Sequence, residues 1–189
     1  MPTSLRGIAE KSALRKEHRF QNLVNELTPS YLMWCWGKLN KKASPGVDKI
    51  TVREYGKDLK QNISDLYGRL KRGAYRAKLI ARRFIPKAGG KQRPLGLPAT
   101  EDKVLQTGVA RILEAIYEAD FRDCSFGYRP RRSAKDAVKE LSRSLQFGKY
   151  NFIVEADIRG FFDNIDHDIL LEMLSERIND RKFLGLTRK

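Results

Sequence analysis

Apolar residues recur every three or four positions along most of this chain, which is the period of amphipathic helices. The first forty residues show this pattern. A second run follows Thr51 and Glu54, which have the spacing of a capping box, and ends near Gly73. Ser133 is a suitable N-cap for a later helix. Further stretches with the same spacing predict helices at 104–116, 134–145 and 166–178.

The pattern changes to alternation between residues 78 and 97, where the chain turns at Gly89 and Gly90 and then returns. Such an arrangement is typical of a β-hairpin. Pro86 and Pro94 flank the turn, and proline cannot donate a hydrogen bond to a neighbouring strand. The sequence therefore predicts an exposed or edge hairpin.

The run NFIVEAD, residues 151–157, is apolar enough to be a central strand, and a tight turn, IRGFFDN, follows it. The polar hairpin is a poor neighbour for such a strand. We therefore expect a fragment of a longer protein, with the remaining strands beyond Lys189. A buried carboxylate at Asp157 is costly unless an Arg or Lys, a helix N-terminus or a metal ion meets it.

The charge of the chain indicates its partner class. Lys and Arg number 38 against 23 Asp and Glu, a formal net charge of +15, and basic residues cluster at 71–84 and 127–135. This excess favours a polyanion, most often nucleic acid. No apolar run reaches the ~20 residues that a membrane helix needs, and no secretory signal is evident. The two cysteines lack metal-ligand spacing, which favours a reduced, cytoplasmic setting.

Four aspartates follow one another around the predicted turn, and they differ in their expected roles. Asp166 and Asp168 lie where a helix begins and suit a cap or first-turn charge, and Asp163 suits the turn. Asp157 alone has an apolar strand before it. Taken singly, it suits a cap on a nearby helix or an ion pair with Arg159. A Mg²⁺ ion would also satisfy it, although a two-metal site needs further carboxylates.

Two basic segments are candidates for phosphate contacts. On the hairpin, Lys87 and Arg93 flank AGGKQ, and Arg82 and Arg83 lie on the incoming strand. A phosphate grip and a solvated basic turn fit this segment equally well. In FGYRPRRSAKDAV, aromatic residues interleave with Arg129, Arg131 and Arg132, which suits a phosphate backbone and stacked bases. A structural cap with packed aromatic residues is the alternative.

Four consecutive blocks resemble the group II intron reverse transcriptases, also called maturases. The blocks are SPGVDKIT (44–51), RRFIPKAGGKQRPLGLPATEDKVLQ (82–106), SFGYRPRRSAKDAV (125–138) and VEADIRGFFDNIDHDIL (154–170). The resemblance implies an α+β, right-hand polymerase fold with a helix-rich fingers region, a β-hairpin and the start of the palm. It divides the chain into an N-terminal helical extension (1–43), fingers (44–148) and a partial palm (149–189).

The resemblance also implies roles for individual residues. Asp157 matches the first metal-binding aspartate, with the Ile158 carbonyl as a further ligand, and Phe162 matches the aromatic residue that excludes a 2′-hydroxyl. Lys87 and Arg93 match the residues that grip the incoming triphosphate. The third block reads RPRRS, where the family often has Gly at the position of Arg131. The Tyr-X-Asp-Asp hairpin of the family is absent from these 189 residues.

The resemblance implies an RNA-directed DNA polymerase that uses two Mg²⁺ ions, an intron RNA template, a DNA or RNA primer and dNTP, and that assists intron splicing. The arginines at 82, 83, 129, 131 and 132 would contact RNA. This chain by itself is expected to be inactive and to self-associate through its incomplete palm. The alternatives are a retron, diversity-generating or CRISPR-associated reverse transcriptase, or a non-catalytic RNA-binding module.

Overall fold

The chain folds as a set of helices with an antiparallel two-stranded hairpin, in a computed structural model that describes residues 2–86, 88–90 and 92–188. The helices are α1 (Thr3–Leu14), α2 (Pro29–Lys38), α3 (Val52–Tyr55), α4 (Leu59–Lys71), α5 (Thr100–Tyr117), α6 (Ala134–Phe147), α7 (His167–Ser175) and α8 (Arg181–Thr187). The strands are β1 (Ala81–Pro86) and β2 (Gln92–Leu97). Short 3₁₀ turns lie at Leu23–Glu26, Ala88–Gly90 and Phe161–Asn164. This composition agrees with the α+β class. Within the described ranges, no helix has the length and apolarity to cross a bilayer.

One hydrophobic core joins α1, α2, α4 and α5, because each of these helices turns its apolar stripe inward. The Tyr31 hydroxyl of α2 donates to the Gly108 carbonyl of α5 at 2.9 Å. Gly108 permits this approach, since a Cβ there would lie 3.2 Å from the Leu27 side chain. Core side chains from the four helices include Leu5, Ile8, Leu32, Cys35, Ile63, Leu66, Val104 and Ile112. The helices predicted within the first forty residues and at 104–116 are confirmed.

The single helix predicted from Thr51 to Gly73 is instead two helices. Thr51 and Glu54 form the predicted capping box, but α3 ends at Tyr55 and α4 begins at Leu59. The indole of Trp36 occupies the break, since a Cβ on Gly56 would lie 2.4 Å from its ring. Packing against this large side chain overrides the helical spacing.

The predicted hairpin is confirmed. Its strands pair from Ala81 opposite Leu97 to Pro86 opposite Gln92, and nearly all of its side chains are exposed. Gly89 and Gly90 have φ angles of 78° and 73° in the turn. Only glycine adopts these left-handed angles without a steric cost, which explains the Gly-Gly pair.

The region 117–176 differs from the rest of the fold, since all of its residues are described and none is buried. Helix α6 forms as predicted behind a Ser133–Asp136 capping box, yet it buries no side chain. The chain exposes 14379 Å² of surface, whereas a compact monomer of its 21.8 kDa would expose about 9,300 Å². Much apolar surface in this region therefore has no packing partner among the described residues.

The strand predicted at 151–157 is wrong, because residues 151–158 form neither strand nor helix. Phe152 and Val154 are 89% and 90% exposed. A strand requires hydrogen bonds to a neighbour, and the sheet among the described residues consists of β1 and β2 alone. An apolar run with strand composition therefore remains irregular here.

The helix predicted at 166–178 ends earlier, at Ser175, because the following residues attach to the N-terminal part of the chain. Phe20 and Ile178 form a parallel bridge, in which the Phe20 amide donates to the Arg177 carbonyl at 2.8 Å. Ile178 and, in α8, Phe183 are fully buried in the core. Residues 177–183 thus complete the core begun by α1 and α5.

A buried polar network secures this attachment. The Arg177 guanidinium pairs with Asp120 at 2.5 Å and donates to Ser12 Oγ at 2.7 Å. Ser12 in turn donates to the Ile116 carbonyl at 2.5 Å. Three distant parts of the sequence meet at this guanidinium, and its buried charge is stabilised by the carboxylate of Asp120.

Candidate functional site

Asp157 lies in the exposed segment before a tight turn. Gly160 turns the chain with φ 63°, and the Asn164 side chain donates to the Gly160 carbonyl at 2.8 Å. Ile158 is 69% exposed and Phe162 is 79% exposed, with the Phe162 ring edge-on to Phe161 at 5.2 Å between centroids. Water solvates the Asp157 carboxylate here, so the desolvation cost expected from a buried strand does not arise.

The oxygen donors at this turn are of the type that Mg²⁺ prefers, but they are few. No group of three or more His, Cys, Asp or Glu side chains among the described residues could hold a metal ion. Asp157 forms no ion pair with Arg159 or with any other described residue. One carboxylate and the Ile158 carbonyl would serve as part of a Mg²⁺ site, and a two-ion site would need further ligands.

The predicted positions of Asp163, Asp166 and Asp168 are confirmed. Asp166 caps α7, because its carboxylate accepts the amides of Asp168 and Ile169 at 2.8 and 3.1 Å. These two hydrogen bonds hold the pKa of Asp166 below its ordinary value. Asp168 lies in the first turn of α7 and pairs with Arg188 at 2.9 Å, and Asp163 lies within the turn, as expected. Asp166 and Asp168 therefore have local structural roles.

The hairpin register decides which cations act together. Arg83 pairs opposite Leu95, and Arg93 pairs opposite Ile85, so Arg83 and Arg93 project from one face. Arg82 pairs opposite Gly96 and projects from the other face. Lys87 lies outside the described residues. Two of the three described hairpin arginines thus share a face, and all three are exposed.

Asp102 anchors the base of the hairpin, although it was not among the residues predicted from the sequence. Its carboxylate is 1% exposed and accepts the Tyr75 hydroxyl at 2.5 Å and the Lys78 amide at 3.1 Å. Lys78 leads into β1, and Asp102 lies in the first turn of α5, directly after β2. Burial raises the pKa of Tyr75. The signal available in the sequence was an acidic residue in the first turn of a helix.

The block SPGVDKIT also packs at the base of the hairpin. A Cβ on Gly46 would lie 2.5 Å from the Ala99 nitrogen, so only glycine allows the two backbones to approach. Thr100 Oγ1 donates to the Ile50 carbonyl at 2.6 Å, and Lys78 pairs with Asp48 at 3.0 Å. The first and second sequence blocks therefore meet at the base of the hairpin.

The arginines of the third block differ in whether their guanidinium groups have partners among the described residues. Arg129 is held within its loop, since its guanidinium pairs with Glu118 at 3.0 Å and donates to the carbonyls of Arg122 and Ser125 at 2.8 Å. The Arg132 guanidinium pairs with Asp123 at 3.0 Å. Arg131 is exposed and has a φ angle of 60°. This arrangement favours a structural role for Arg129 and leaves Arg131 accessible to a phosphate.

The aromatic residues of this block also differ. Tyr128 is fully exposed, as expected of a stacking residue. Phe126 lies under the Arg132 guanidinium at 5.3 Å, which agrees with the alternative of a packed structural cap. No hydrogen bond or ion pair links this loop or the hairpin to Asp157 among the described residues. The described hydrogen bonds and ion pairs therefore do not join the candidate residues into one site.

Comparison with known proteins identifies relatives. The family of reverse transcriptases (RNA-dependent DNA polymerases) matches residues 85–187, more than half of the chain. The group II intron-encoded protein LtrA of Lactococcus lactis subsp. cremoris is 42% identical over 130 residues, covering 68% of this chain and 21% of LtrA. Protein YkfC of Escherichia coli K12 is 32% identical over 191 residues, covering 97% of this chain and 50% of YkfC.

Nuclear intron maturase 1, mitochondrial, of Arabidopsis thaliana is 30% identical over 89 residues, covering 47% of this chain and 12% of that protein. The chain thus spans half or less of the length of each of these relatives.

Proposed function

The chain belongs to the reverse transcriptase family, and from this membership we propose that it provides the nucleotide-gripping and template-binding part of a group II intron RNA-directed DNA polymerase. The reaction is attack of a primer 3′-hydroxyl on the α-phosphate of a dNTP, directed by an RNA template. Residues 44–148 serve as fingers, and residues from 149 onward begin the palm. The arginines that are expected to contact RNA, at positions 82, 83, 129, 131 and 132, also assist intron folding in the cytoplasm.

One observation carries this proposal, namely the pair of arginines on one face of an anchored hairpin. Arg83 and Arg93 project together, and Asp102 fixes the incoming end of the hairpin at α5. A guanidinium provides two parallel donors to a phosphate, which suits a triphosphate grip. Lys87, as the resemblance implies, adds a third cation to this grip.

The residues around the turn have complementary roles. Asp157 and the Ile158 carbonyl would be part of the ligand set of a Mg²⁺ ion, which when bound would supply charge stabilisation at the reacting phosphate. Phe162 lies beneath the sugar and excludes a 2′-hydroxyl. Its replacement by Ala should lower the preference for dNTP over rNTP in a polypeptide that extends primers, measured as the ratio of kcat/KM values. An unchanged ratio would assign the steric role elsewhere, with Phe161 the first residue to test.

The test of the grip uses the two faces of the hairpin. Arg93→Ala should weaken binding of Mg²⁺–dNTP by about tenfold or more, because a charge-assisted bidentate contact is lost. Arg82→Ala is the matched control, since it removes the same charge from the opposite face of the same hairpin. Equal losses in both variants would show that the hairpin attracts nucleotides only by its net charge.

The polypeptide of 189 residues is itself proposed to bind RNA without polymerising dNTP. Affinity for a structured RNA should fall at least tenfold between ~50 and ~200 mM salt, because phosphate contacts release counterions. No incorporation is expected on a primed RNA template at any Mg²⁺ concentration. Template-dependent incorporation would show that the missing carboxylates are present, and Asp163 would be the next residue to replace.

Self-association is a further part of this proposal. Val138 and Leu141 on α6, and Ile169 and Met173 on α7, are between 50% and 62% exposed. Apolar surface of this extent favours contact between copies of the chain. Analytical ultracentrifugation should detect dimers or larger species, and a strictly monomeric chain at ~100 μM would contradict the proposal.

A further inference from the structure

A cavity of about 310 Å³ lies between the C-terminal end of α4 and α8. None of its described lining residues belongs to the hairpin or to the segment around Asp157. Its apolar lining includes Val24, Leu70 and Leu186. A volume of this size is at the lower end of the range for small-molecule sites. The cavity is therefore distinct from the groups used in the proposed polymerase reaction.

Four cations surround this cavity, and no acidic side chain is among its described lining residues. Among the described residues, the Lys71 ammonium donates to Asn25 Oδ1 at 3.4 Å and lies over the Tyr67 ring at 5.5 Å from its centroid, and it forms no ion pair. Within the described part of the chain, the other three form no ion pair: Arg72, Arg181 and Lys182.

Arg69, less than one turn before Arg72 in the same helix, shows the contrast. It makes a bidentate pair with Glu101 at 2.5 and 2.9 Å. Arg69 thus has a carboxylate partner, whereas none of the four cations around the cavity forms an ion pair with a described residue. An anion would relieve the mutual repulsion of these charges.

Local helix electrostatics account for two of the four cations. Lys71 and Arg72 lie at the C-terminal end of α4, where the helix dipole favours positive charge. Arg181 and Lys182 follow the N-cap Asp180, whose carboxylate accepts the amides of Phe183 and Val24 at 3.0 and 3.3 Å. Within the described residues this carboxylate forms no ion pair with either cation, so both cations remain available to an anionic ligand.

We propose that this cavity binds an unpaired nucleotide of an RNA strand. The cations contact the phosphates on either side of the nucleotide, and the base lies on the apolar floor of Val24, Leu70 and Leu186. A strand fits better than a free nucleotide, because four separated cations match several consecutive phosphates. The proposal does not depend on polymerase chemistry or on the hairpin.

The test compares two double variants that remove equal charge. The cavity variant, Arg72→Ser with Arg181→Ser, removes two cations that line the cavity. The control variant, Lys57→Ser with Lys60→Ser, removes two exposed cations that do not line it. Binding of a fluorescent single-stranded RNA of mixed sequence is measured by anisotropy at several salt concentrations. The cavity variant should lose about tenfold in affinity, and its salt slope should fall by about 1.4, from two lost phosphate contacts.

The control variant should lose less than about threefold in affinity. Iodouridine-substituted RNA, irradiated on the unaltered chain, should cross-link to peptides from 70–75 or 181–188. Equal losses in the two double variants, or cross-links elsewhere only, would overturn the proposal. Inorganic phosphate and AMP are tested as competitors of the fluorescent RNA. If either one displaces it at the concentration at which unlabelled RNA does, the cavity binds a free anion and the proposal is overturned. Unfolding followed by tryptophan fluorescence checks that both variants are folded.

Discussion

Helices α5 and α6 share an amphipathic pattern but occupy opposite surroundings. Val104 and Ile112 of α5 are fully buried, whereas Val138 and Leu141 of α6 are 62% and 50% exposed. Both helices have acidic first-turn residues, and α6 has the better N-terminal cap. Local sequence therefore forms both helices, and only a partner surface determines which of them contributes to the core. The region of α6 also contains Asp157, so the candidate catalytic residue lies in the unpacked part of the chain.

The largest expected difference between the two helices is in stability. Ile112→Ala should lower the free energy of unfolding by about 2–5 kcal/mol, because it leaves a cavity in a closed core. Leu141→Ala should change it by less than about 0.5 kcal/mol, since the side chain is half exposed. Urea unfolding followed by Trp34 and Trp36 fluorescence measures both. A comparable loss in the two variants would mean that α6 packs in solution.

One cysteine lies in the core with α5, and the other lies in the exposed region of α6. Cys35 is buried in the core, and Cys124 is exposed in the loop before α6. Burial is the main cause that raises the pKa of the Cys35 thiol from its ordinary value of 9.0 to about 11. At neutral pH its thiolate fraction is thus about a hundredfold lower than that of an ordinary thiol. A disulfide reagent should titrate one thiol rapidly and the second at least a hundredfold more slowly.

The raised pKa of Cys35 has a consequence for stability. The neutral thiol is favoured in the fold, so its contribution is complete below pH 9 and is lost as the pH rises through about 11. Cys35→Ser should remove the slow phase of the thiol titration. Two rapid thiols in the unaltered chain would contradict the packing of α2 against α5.

A smaller difference in the free energy of unfolding is expected between the loss of a buried ion pair and the loss of an exposed one. Asp120→Ala should cost about 2 kcal/mol, because it leaves the nearly buried guanidinium of Arg177 without its carboxylate. Asp168→Ala removes the exposed pair with Arg188 and should cost less than about 0.5 kcal/mol. Urea unfolding measures both variants. Equal costs would show that residues 177–183 are not secured to the core through Arg177.

The smallest expected effect concerns the turn before α6. Arg131 has a φ angle of 60°, which is unfavourable for a residue with a Cβ. Arg131→Gly should stabilise this turn by about 0.5–1 kcal/mol, whereas Arg131→Ala removes the same cation and keeps the strain. Amide hydrogen exchange near residue 132 that slows in Arg131→Gly, but not in Arg131→Ala, would confirm this stabilisation.

Periodicity was sufficient for most of the elements. The capping box at Thr51, the N-cap at Ser133, the hairpin turn at Gly89 and Gly90, and the cap at Asp166 were all predicted from the sequence, because each depends on neighbours within a few residues. The family was also predicted from the sequence, because four short blocks occur in the expected order. Of the candidate site, the sequence supplied the residues but not their arrangement.

Tertiary structure decided the features that depend on distant partners. Gly56 against Trp36 divides a helix that the spacing predicts as one, and Asp102 receives its two donors from residues more than twenty positions away. The run 151–157 has the composition of a strand but forms none, because its pairing partner is not among the described residues. Backbone hydrogen bonds within a helix are local, whereas those of a strand and the burial of a side chain require another segment. The sequence by itself therefore determined the local elements and the family, and only the tertiary structure decided which apolar faces form the core.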